Sequence, residues 1–246
     1  MQSTKLRSRI AVALDYPNKK LFSAKVLATA CLVVPMLSWG SDTTTVVNEE
    51  DMVLVVDGGF WIDTHEVTNA AYARFILETR HRVPAPTDSG LRLWNSWKDG
   101  KPRVGFERYP VVGVDWWEAE AYCGWMDKRL PSEAEWERAC QGLVAFPYPW
   151  GETAIDREHA NYDPTGRSRY GTVEVGSLPK GASPYGAMEM VGNVWEWTTN
   201  KGVLRGGAWN NTDGLVRCTG RYRAMPASRD HAFGFRCAKE RQPQRH

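Results

Sequence analysis

A glutamate between two tryptophans, Trp195-Glu196-Trp197, constrains this chain more than any other feature of its sequence. Two neighbouring indoles favour a buried segment, and a buried carboxylate must be ion-paired, hydrogen-bonded or bound to a metal ion. Gly192 and Asn193 tolerate left-handed backbone, so the chain can turn there and direct carbonyl oxygens inward. Carboxylate and carbonyl oxygens together suit Ca²⁺. The same residues also fit a tight turn in which Glu196 forms a salt bridge inside a tryptophan core.

The composition narrows the class of protein. A chain of 246 residues with a removable N-terminus suits one large domain. The formal charge of +2 is spread along the chain without a basic stripe, so no nucleic-acid partner is expected. Twelve tryptophans and 22 glycines predict a core of large aromatic side chains held by irregular backbone.

The first 40 residues have the pattern of a secretory signal peptide or an N-terminal anchor. Basic residues precede Val26–Leu37, an uncharged and mostly apolar run that is short for a membrane span. Small residues at Ser38 and Gly40 suit cleavage after Gly40. We therefore expect a signal or anchor over 1–40, a flexible linker over 41–51 and the domain over 52–246. The expected location is periplasmic or secreted, with membrane attachment only through an uncleaved N-terminus.

Four cysteines follow Cys31, the cysteine of the N-terminal segment. They are Cys123, Cys140, Cys218 and Cys237. In an oxidising compartment this even number favours two disulfides, for which three connectivities are open. Two free, buried cysteines are the alternative.

Capping patterns predict three helices. The predicted N-caps are Thr68, Asp115 and Ser132, and the first and third helices should end near Arg80 and Gln141. Helical spacing places the aromatic residues of the second helix, including Trp117, in the core.

The remaining segments predict strands and one long loop. Met52–Ile62 reads as one or two strands, Val203–Trp209 as a strand broken by glycines, and Phe233–Ala238 as the closing strand. Residues 86–108 lack clear periodicity and read as a long surface-associated loop.

Nine ordered sequence blocks resemble the formylglycine-generating enzyme (sulfatase-modifying factor) family over about Met52 to Lys239. The resemblance implies an α+β fold with much irregular structure, related to the C-type lectin fold. The blocks are Asp63–Asn69, Tyr109–Trp116, Lys128–Glu137, Tyr148–Gly151, Ala160–Tyr162, Gly192–Trp197, Leu204–Trp209, Arg221–Arg223 and Gly234–Ala238.

The resemblance also implies disulfide pairs. Cys123 and Cys237 match a bonded pair of the family. Cys140 matches another family disulfide cysteine, but the usual partner position is Ala224 here, and the nearby Cys218 could substitute.

Two Ca²⁺ sites are implied by the same resemblance, so Ca²⁺ is the expected cofactor. The first involves Asn161 and Tyr162, but its remaining ligands would fall within Gly166–Tyr170, where the expected acid is not evident. The second, partly through backbone carbonyls, involves Glu189, Gly192, Val194 and Glu196.

The family's founding activity oxidises a cysteine of a client sulfatase with O₂ and a copper ion held by two cysteines. Soft thiolates select Cu(I), so the cysteine pair is essential. In this chain the two copper positions are Asn211 and Thr219, and the active-site serine position is Ala208. Copper is therefore not expected at the family site, and canonical formylglycine generation is predicted to be absent.

Two hypotheses for function remain open. In the first, the chain is an exported maturation or accessory factor for another protein or a small molecule, and oxidation is one way in which it could act. In the second, it is a non-catalytic, calcium-stabilised binding or assembly subunit. The sequence does not identify the client protein, protein complex or small molecule that would be the partner. A free thiol at Cys218 would favour chemistry, and a Cys140–Cys218 disulfide would favour a scaffold. The candidate cleft comprises Trp209, Asn210, Asn211, Arg217, Cys218 and Arg221.

Overall fold

The computed structural model describes residues 51–85, 96–167 and 171–241, which lie in one compact unit, Asp42–His246. The predicted signal or anchor, most of the predicted linker, and the residues at 86–95 and 168–170 lie outside the described residues. In the described ranges, no helix has the length and apolar character needed to cross a bilayer.

Three helices form where the capping residues predict them. Thr68 Oγ1 accepts a hydrogen bond from the Ala71 amide, 3.2 Å away. Asp115 and Ser132 each complete a reciprocal capping box with the glutamate three residues later. These bonds satisfy amides that would otherwise lack a partner, so the three predicted helix starts are confirmed. The helices are α1 (Asn69–Thr79), α2 (Trp116–Trp125) and α3 (Glu133–Gln141).

The described residues contain three small sheets of short strands. The strands are β1 (Met52–Val55), β2 (Phe60–Asp63), β3 (Trp97–Lys98), β4 (Lys101–Pro102), β5 (Trp195–Trp197), β6 (Val203–Arg205), β7 (Arg221–Arg223), β8 (Phe233–Gly234) and β9 (Ala238–Glu240). The first sheet has the antiparallel order β1-β2-β9, and the second is the hairpin β3-β4. The third sheet has the order β7-β6-β5-β8, in which β5 and β8 run parallel.

Two predictions about these segments were wrong in detail. Phe233–Ala238 is not one strand, because β8 pairs with β5 while β9 pairs with β2 in another sheet. The described part of the predicted 86–108 loop contains the β3-β4 hairpin. The predicted break of the Val203–Trp209 segment is present, because β6 ends at Arg205 and Gly206 and Gly207 adopt positive φ.

Both disulfides tie helices to the C-terminal part of the chain. Cys123 in α2 bonds to Cys237 between β8 and β9, and Cys140 in α3 bonds to Cys218. Both predicted pairs are confirmed. Such bonds persist in oxidising compartments and stabilise a fold mainly by restricting the unfolded chain.

Tryptophans fill two clusters of buried side chains. Trp97, Trp116, Trp195 and Trp197 lie in one cluster, and Trp136 lies in the other. Buried indoles need hydrogen-bond partners, and the Trp116 and Trp197 indoles reach backbone carbonyls at 2.7 and 3.1 Å.

Trp117 departs from the predicted core. It remains 48% exposed and packs edge-on against the Trp116 ring. The cause is that α2 buries Trp116 instead, so the neighbouring position faces outward.

Candidate functional site

A buried ion pair lies at the centre of the Gly192–Trp197 segment. Glu196 is fully buried, and its Oε2 and Oε1 accept hydrogen bonds from Arg236 Nε and Nη2, both at 2.8 Å. The Trp136 indole donates to the same Oε2 at 2.8 Å. Burial opposes the charge on Arg236, but the nearby carboxyl groups, that of Glu196 first and then those of Glu66 and Glu189, together raise the pKa of Arg236. Glu196 therefore has the salt bridge that the sequence offered as an alternative to calcium.

Arg236 reaches two further segments through its remaining N–H groups. Nη1 donates to the carbonyls of Asp63 and Thr64, each at 3.1 Å, and Nη2 donates to the Met188 carbonyl at 2.7 Å. A guanidinium with this many partners in fixed geometry can be buried without a large unsatisfied polar cost. Arg236 thus ties the end of β2 and residue 188 to β5.

The turn before β5 requires glycine at position 192. Gly192 has φ +81°, and a Cβ built there would lie 2.4 Å from the Asn161 carbonyl oxygen. The next residue, Asn193, also has positive φ, and its amide donates to that carbonyl at 2.9 Å. The turn is therefore pressed directly onto the backbone at Asn161.

Two asparagine side chains extend this contact to a buried carboxyl group. Asn161 Nδ2 donates to Asn193 Oδ1 at 3.1 Å, and Asn193 Nδ2 donates to Glu66 Oε2 at 2.7 Å. Glu66 is 2% exposed, and its Oε1 has no hydrogen-bond partner among the described residues. Burial, together with the charges of Glu189 and Glu196, raises the pKa of Glu66 well above its usual value. The protonated form of Glu66 is therefore favoured.

The residues of the second predicted calcium site lie in this network, but their carboxylates already have partners. Glu189 accepts hydrogen bonds from the amides of Gly176 and Leu178, at 2.9 and 3.3 Å. In the described ranges, no group of three or more His, Cys, Asp or Glu side chains is arranged to hold a metal ion. A calcium ion here would therefore depend on the backbone carbonyls of Gly192 and Val194.

The first predicted calcium site is only partly described. The Asn161 amide is used by Asn193 and by the Gly171 carbonyl, 3.0 Å away. The Tyr162 hydroxyl donates to the Ile155 carbonyl at 3.2 Å. Residues 168–170, where further ligands were expected, lie outside the described residues.

We expect Glu66→Gln to make stability less dependent on pH. A carboxyl group whose pKa is higher in the folded state binds its proton more tightly there, so stability falls as pH rises from about 4 through the folded pKa. Glutamine is neutral at all pH values and can still accept the bond from Asn193. Urea unfolding between pH 5 and 8 should show the variant gaining stability relative to wild type as pH increases.

Glu133→Gln is the matched control, because its carboxyl group is shifted in the opposite direction. A hydrogen bond from Arg221 lowers the pKa of Glu133, so its contribution is lost as pH falls. At this partly exposed pair we expect a change of less than about 1 kcal/mol. A Glu66→Gln curve parallel to the wild-type curve would contradict the proton on Glu66.

The predicted cleft begins with a closed turn that contains the first copper position of the family. Asn211 Oδ1 accepts from the Ala208 amide, and the Asn211 amide donates to the Ala208 carbonyl, both at 3.0 Å. The Asn211 carbonyl accepts from the amide of buried Asp163 at 2.9 Å. Trp209 is 1% exposed within the core. The Asn211 side chain and backbone therefore hold the backbone of this turn in place.

The rest of the predicted cleft is held against α3. The Cys218 sulfur is in the disulfide with Cys140, and the Cys218 amide donates to the Pro147 carbonyl at 2.9 Å. Arg221 Nε donates to Glu133 at 2.6 Å. Cys218 therefore carries no free thiol in this structure, and the Cys140–Cys218 disulfide favours the scaffold hypothesis. Arg217 is half-buried, and its Nη2 reaches the Asp213 carbonyl at 3.4 Å.

The fold brings a histidine to the cleft that sequence reasoning did not include. The His231 ring is 6% exposed and packs against Trp209 with 5.3 Å between ring centroids. Its Nδ1 lies 3.3 Å from the Asp230 carboxylate. Twenty-two residues separate His231 from Trp209, so spacing along the chain carried no signal of this contact.

Comparison with known proteins decides the family. The profile of the sulfatase-modifying factor enzyme 1-like domain matches residues 38–241. The chain belongs to the sulfatase-modifying factor family. The inactive C-alpha-formylglycine-generating enzyme 2 of Bos taurus is 38% identical over 231 residues, covering 73% of this chain and 76% of the relative. The predicted family and the α+β fold are confirmed.

Other relatives carry names that refer to different activities. The serine/threonine-protein kinase Pkn1 of Chlamydia caviae is 35% identical over 210 residues, covering 73% of this chain and 33% of the kinase. The hercynine oxygenase of Mycolicibacterium smegmatis is 31% identical over 239 residues, covering 78% of this chain and 55% of the oxygenase. The chain thus spans about a third of the length of its kinase relatives.

Among solved structures, PvdO from Pseudomonas aeruginosa has the same fold. The TM-score is 0.58 at 25% identity, over 74% of this chain and 80% of PvdO.

Proposed function

We propose that this family member is an exported accessory or maturation factor that acts by binding a client, without the copper chemistry of the formylglycine-generating enzymes. The observation that carries the proposal is the state of the cleft. The family's copper positions are Asn211 and Thr219 here, neither of which carries sulfur, and the sulfur of the neighbouring Cys218 is bonded to Cys140. The Asn211 side chain closes its own turn. These residues therefore offer no pair of thiolates to a copper ion.

Two further observations support an accessory role. A relative of similar length is named as an inactive formylglycine-generating enzyme. The carboxylates of α3 that border the cleft, Glu133 and Glu137, form ion pairs with Arg221 and Arg205. Side chains held in this way stabilise a surface and are poorly suited to proton transfer.

Oxidation of a small molecule is the second candidate function. It is favoured by the similarity to hercynine oxygenases and by the buried His231–Trp209 contact beside the cleft.

Oxygen uptake separates the two candidates. The oxidised protein would be incubated with Cu(I), or with Fe(II), and a cysteine peptide that an active formylglycine-generating enzyme consumes. We expect no metal-dependent O₂ uptake above the buffer blank, while the active enzyme gives uptake in parallel. Uptake with Cu(I) would overturn the accessory proposal. Uptake with Fe(II) that is lost in His231→Phe would favour the second candidate.

We also propose that Ca²⁺ binds at the second predicted site, formed by Glu189, Gly192, Val194 and Glu196. Asn161 and Tyr162 contribute to the first predicted site. Three buried carboxyl groups, those of Glu66, Glu189 and Glu196, face a single guanidinium, that of Arg236. A bound cation would offset the remaining negative charge, and a proton on Glu66 is the competing solution.

Chelation is expected to lower the melting temperature if calcium is bound. A ligand that binds only the folded state at one hundred times its Kd adds about 2.7 kcal/mol, equivalent to roughly 5–10 °C for a domain of this size. Calorimetry with EGTA, followed by added Ca²⁺, measures this shift, and Mg²⁺ serves as the control ion. An unchanged melting temperature would contradict the calcium proposal and leave the proton on Glu66 as the charge balance.

A further inference from the structure

A pocket of about 250 Å³ lies away from the cleft at residues 209–221. Its walls come from the end of β2, the start of α1 and the end of α2, and it is closed on one side by residues 108 and 175. Neither the copper positions nor the calcium residues named above line it. A concave space with a few converging polar groups is a typical small-molecule site.

The polar floor of the pocket is the ion pair between Lys128 and Asp63. Lys128 Nζ lies 2.9 Å from Asp63 Oδ1, and the Lys128 side chain is 5% exposed. Asp63 Oδ2 already accepts from the Cys237 amide at 2.8 Å, and burial raises the pKa of Asp63. Lys128 uses one of its three N–H donors in this pair. An acceptor that enters the pocket would satisfy the other donors of this buried ammonium.

The rim of the pocket adds a second accessible cation. Arg108 is 69% exposed, and the nearest carboxylate, that of Glu174, lies 3.6 Å away, beyond normal hydrogen-bond length. The rim acid Asp51 is paired with His65 at 3.1 Å. Glu66 also lines the pocket, and its Oε1 has no hydrogen-bond partner among the described residues. Lys128 and Arg108 retain unused donors.

The remaining wall is apolar, since Val67, Ala71, Met126 and Val175 line it beside the Tyr122 ring. We propose that this pocket binds a small organic carboxylate, with its anionic group on Lys128 and its hydrocarbon body against this wall. Arg108 attracts the anion at the entrance. A primary amine of the same shape would bring a further cation beside the buried Lys128 ammonium.

Titration calorimetry with 3-methylbutanoate tests the proposal, with 3-methylbutan-1-amine as the matched probe. We expect saturable binding of the carboxylate and none of the amine. Arg108→Gln should weaken binding several-fold, whereas Arg103→Gln, an exposed change outside the pocket, should leave it unchanged. Losing the charge-assisted bonds to Lys128 should weaken binding by on the order of tenfold.

Lys128→Met alone would leave Asp63 buried without its partner, so it is combined with Asp63→Asn. Ala71→Met, on the surface of α1, blocks the pocket without touching the ion pair and should abolish binding. Unchanged affinity in both variants, equal binding of the amine, or no saturable binding of the carboxylate would each overturn the proposal.

Discussion

Gly192→Ala is expected to destabilise the domain by more than about 4 kcal/mol, or to prevent folding altogether. The new methyl group would lie 2.4 Å from the Asn161 carbonyl oxygen and 3.1 Å from the carbon of that carbonyl. Backbone atoms cannot turn aside as a flexible side chain can, so the Asn161–Asn193 contact must break. Urea unfolding with both disulfides intact measures the loss.

Gly105→Ala separates this clash from backbone strain. Gly105 has φ +87°, close to the value at Gly192, but a Cβ built there meets nothing within 4 Å. We expect this control to cost only about 1–2 kcal/mol, the usual penalty of a left-handed residue that is not glycine. Equal losses in the two variants would show that φ alone determines the choice of glycine at position 192.

Arg236→Met is the second change with a large expected effect, a loss of about 3–5 kcal/mol. Removal of the guanidinium leaves the Glu196 carboxylate buried with the Trp136 indole as its one remaining side-chain partner in the described part of the chain. It also removes one donor from each of three backbone carbonyls, those of Asp63, Thr64 and Met188. Unfolding midpoints in urea, compared at a constant m-value, give the loss of stability.

The double variant Glu196→Gln/Arg236→Met tests the cause of that loss. If the unpaired charge is responsible, the neutral glutamine should recover a large part of the stability. Arg221→Met is the exposed control, because the Arg221–Glu133 pair lies at the surface, where solvent screens it, and should contribute far less to stability. A double variant no more stable than Arg236→Met would show that the lost carbonyl contacts, rather than the charge, carry the effect.

The buried acid of the Trp195-Glu196-Trp197 segment was predictable, but its partner was not. Two flanking indoles required that Glu196 be paired, bonded or metal-bound. Arg236 lies 40 residues further along the chain, and several arginines of the C-terminal third were equally available by sequence. Arg223, for example, is one of these arginines, and it is exposed on β7.

The candidate site likewise combines residues that the sequence indicated with a residue that only the fold brought in. The resemblance pointed to Glu189, Gly192 and Asn161, but Glu66 entered the network only because Asn193, 127 residues away, donates to it. The unpartnered Oε1 of Glu66 and its raised pKa are consequences of that packing. Composition and residue spacing do not indicate which carboxyl group the fold will leave without a full set of hydrogen-bond partners.

The sequence by itself determined the helix starts at Thr68, Asp115 and Ser132, the turn at Gly192 and the family. Caps and positive-φ turns depend on residues only a few positions apart, so local chemistry decides them. Only the tertiary structure decided the pairing of Cys140 with Cys218, the division of Phe233–Ala238 between two sheets and the choice of Arg236 for Glu196. Each of these depends on segments that meet after the chain has closed long loops, and burial then selects among partners that the sequence leaves equivalent.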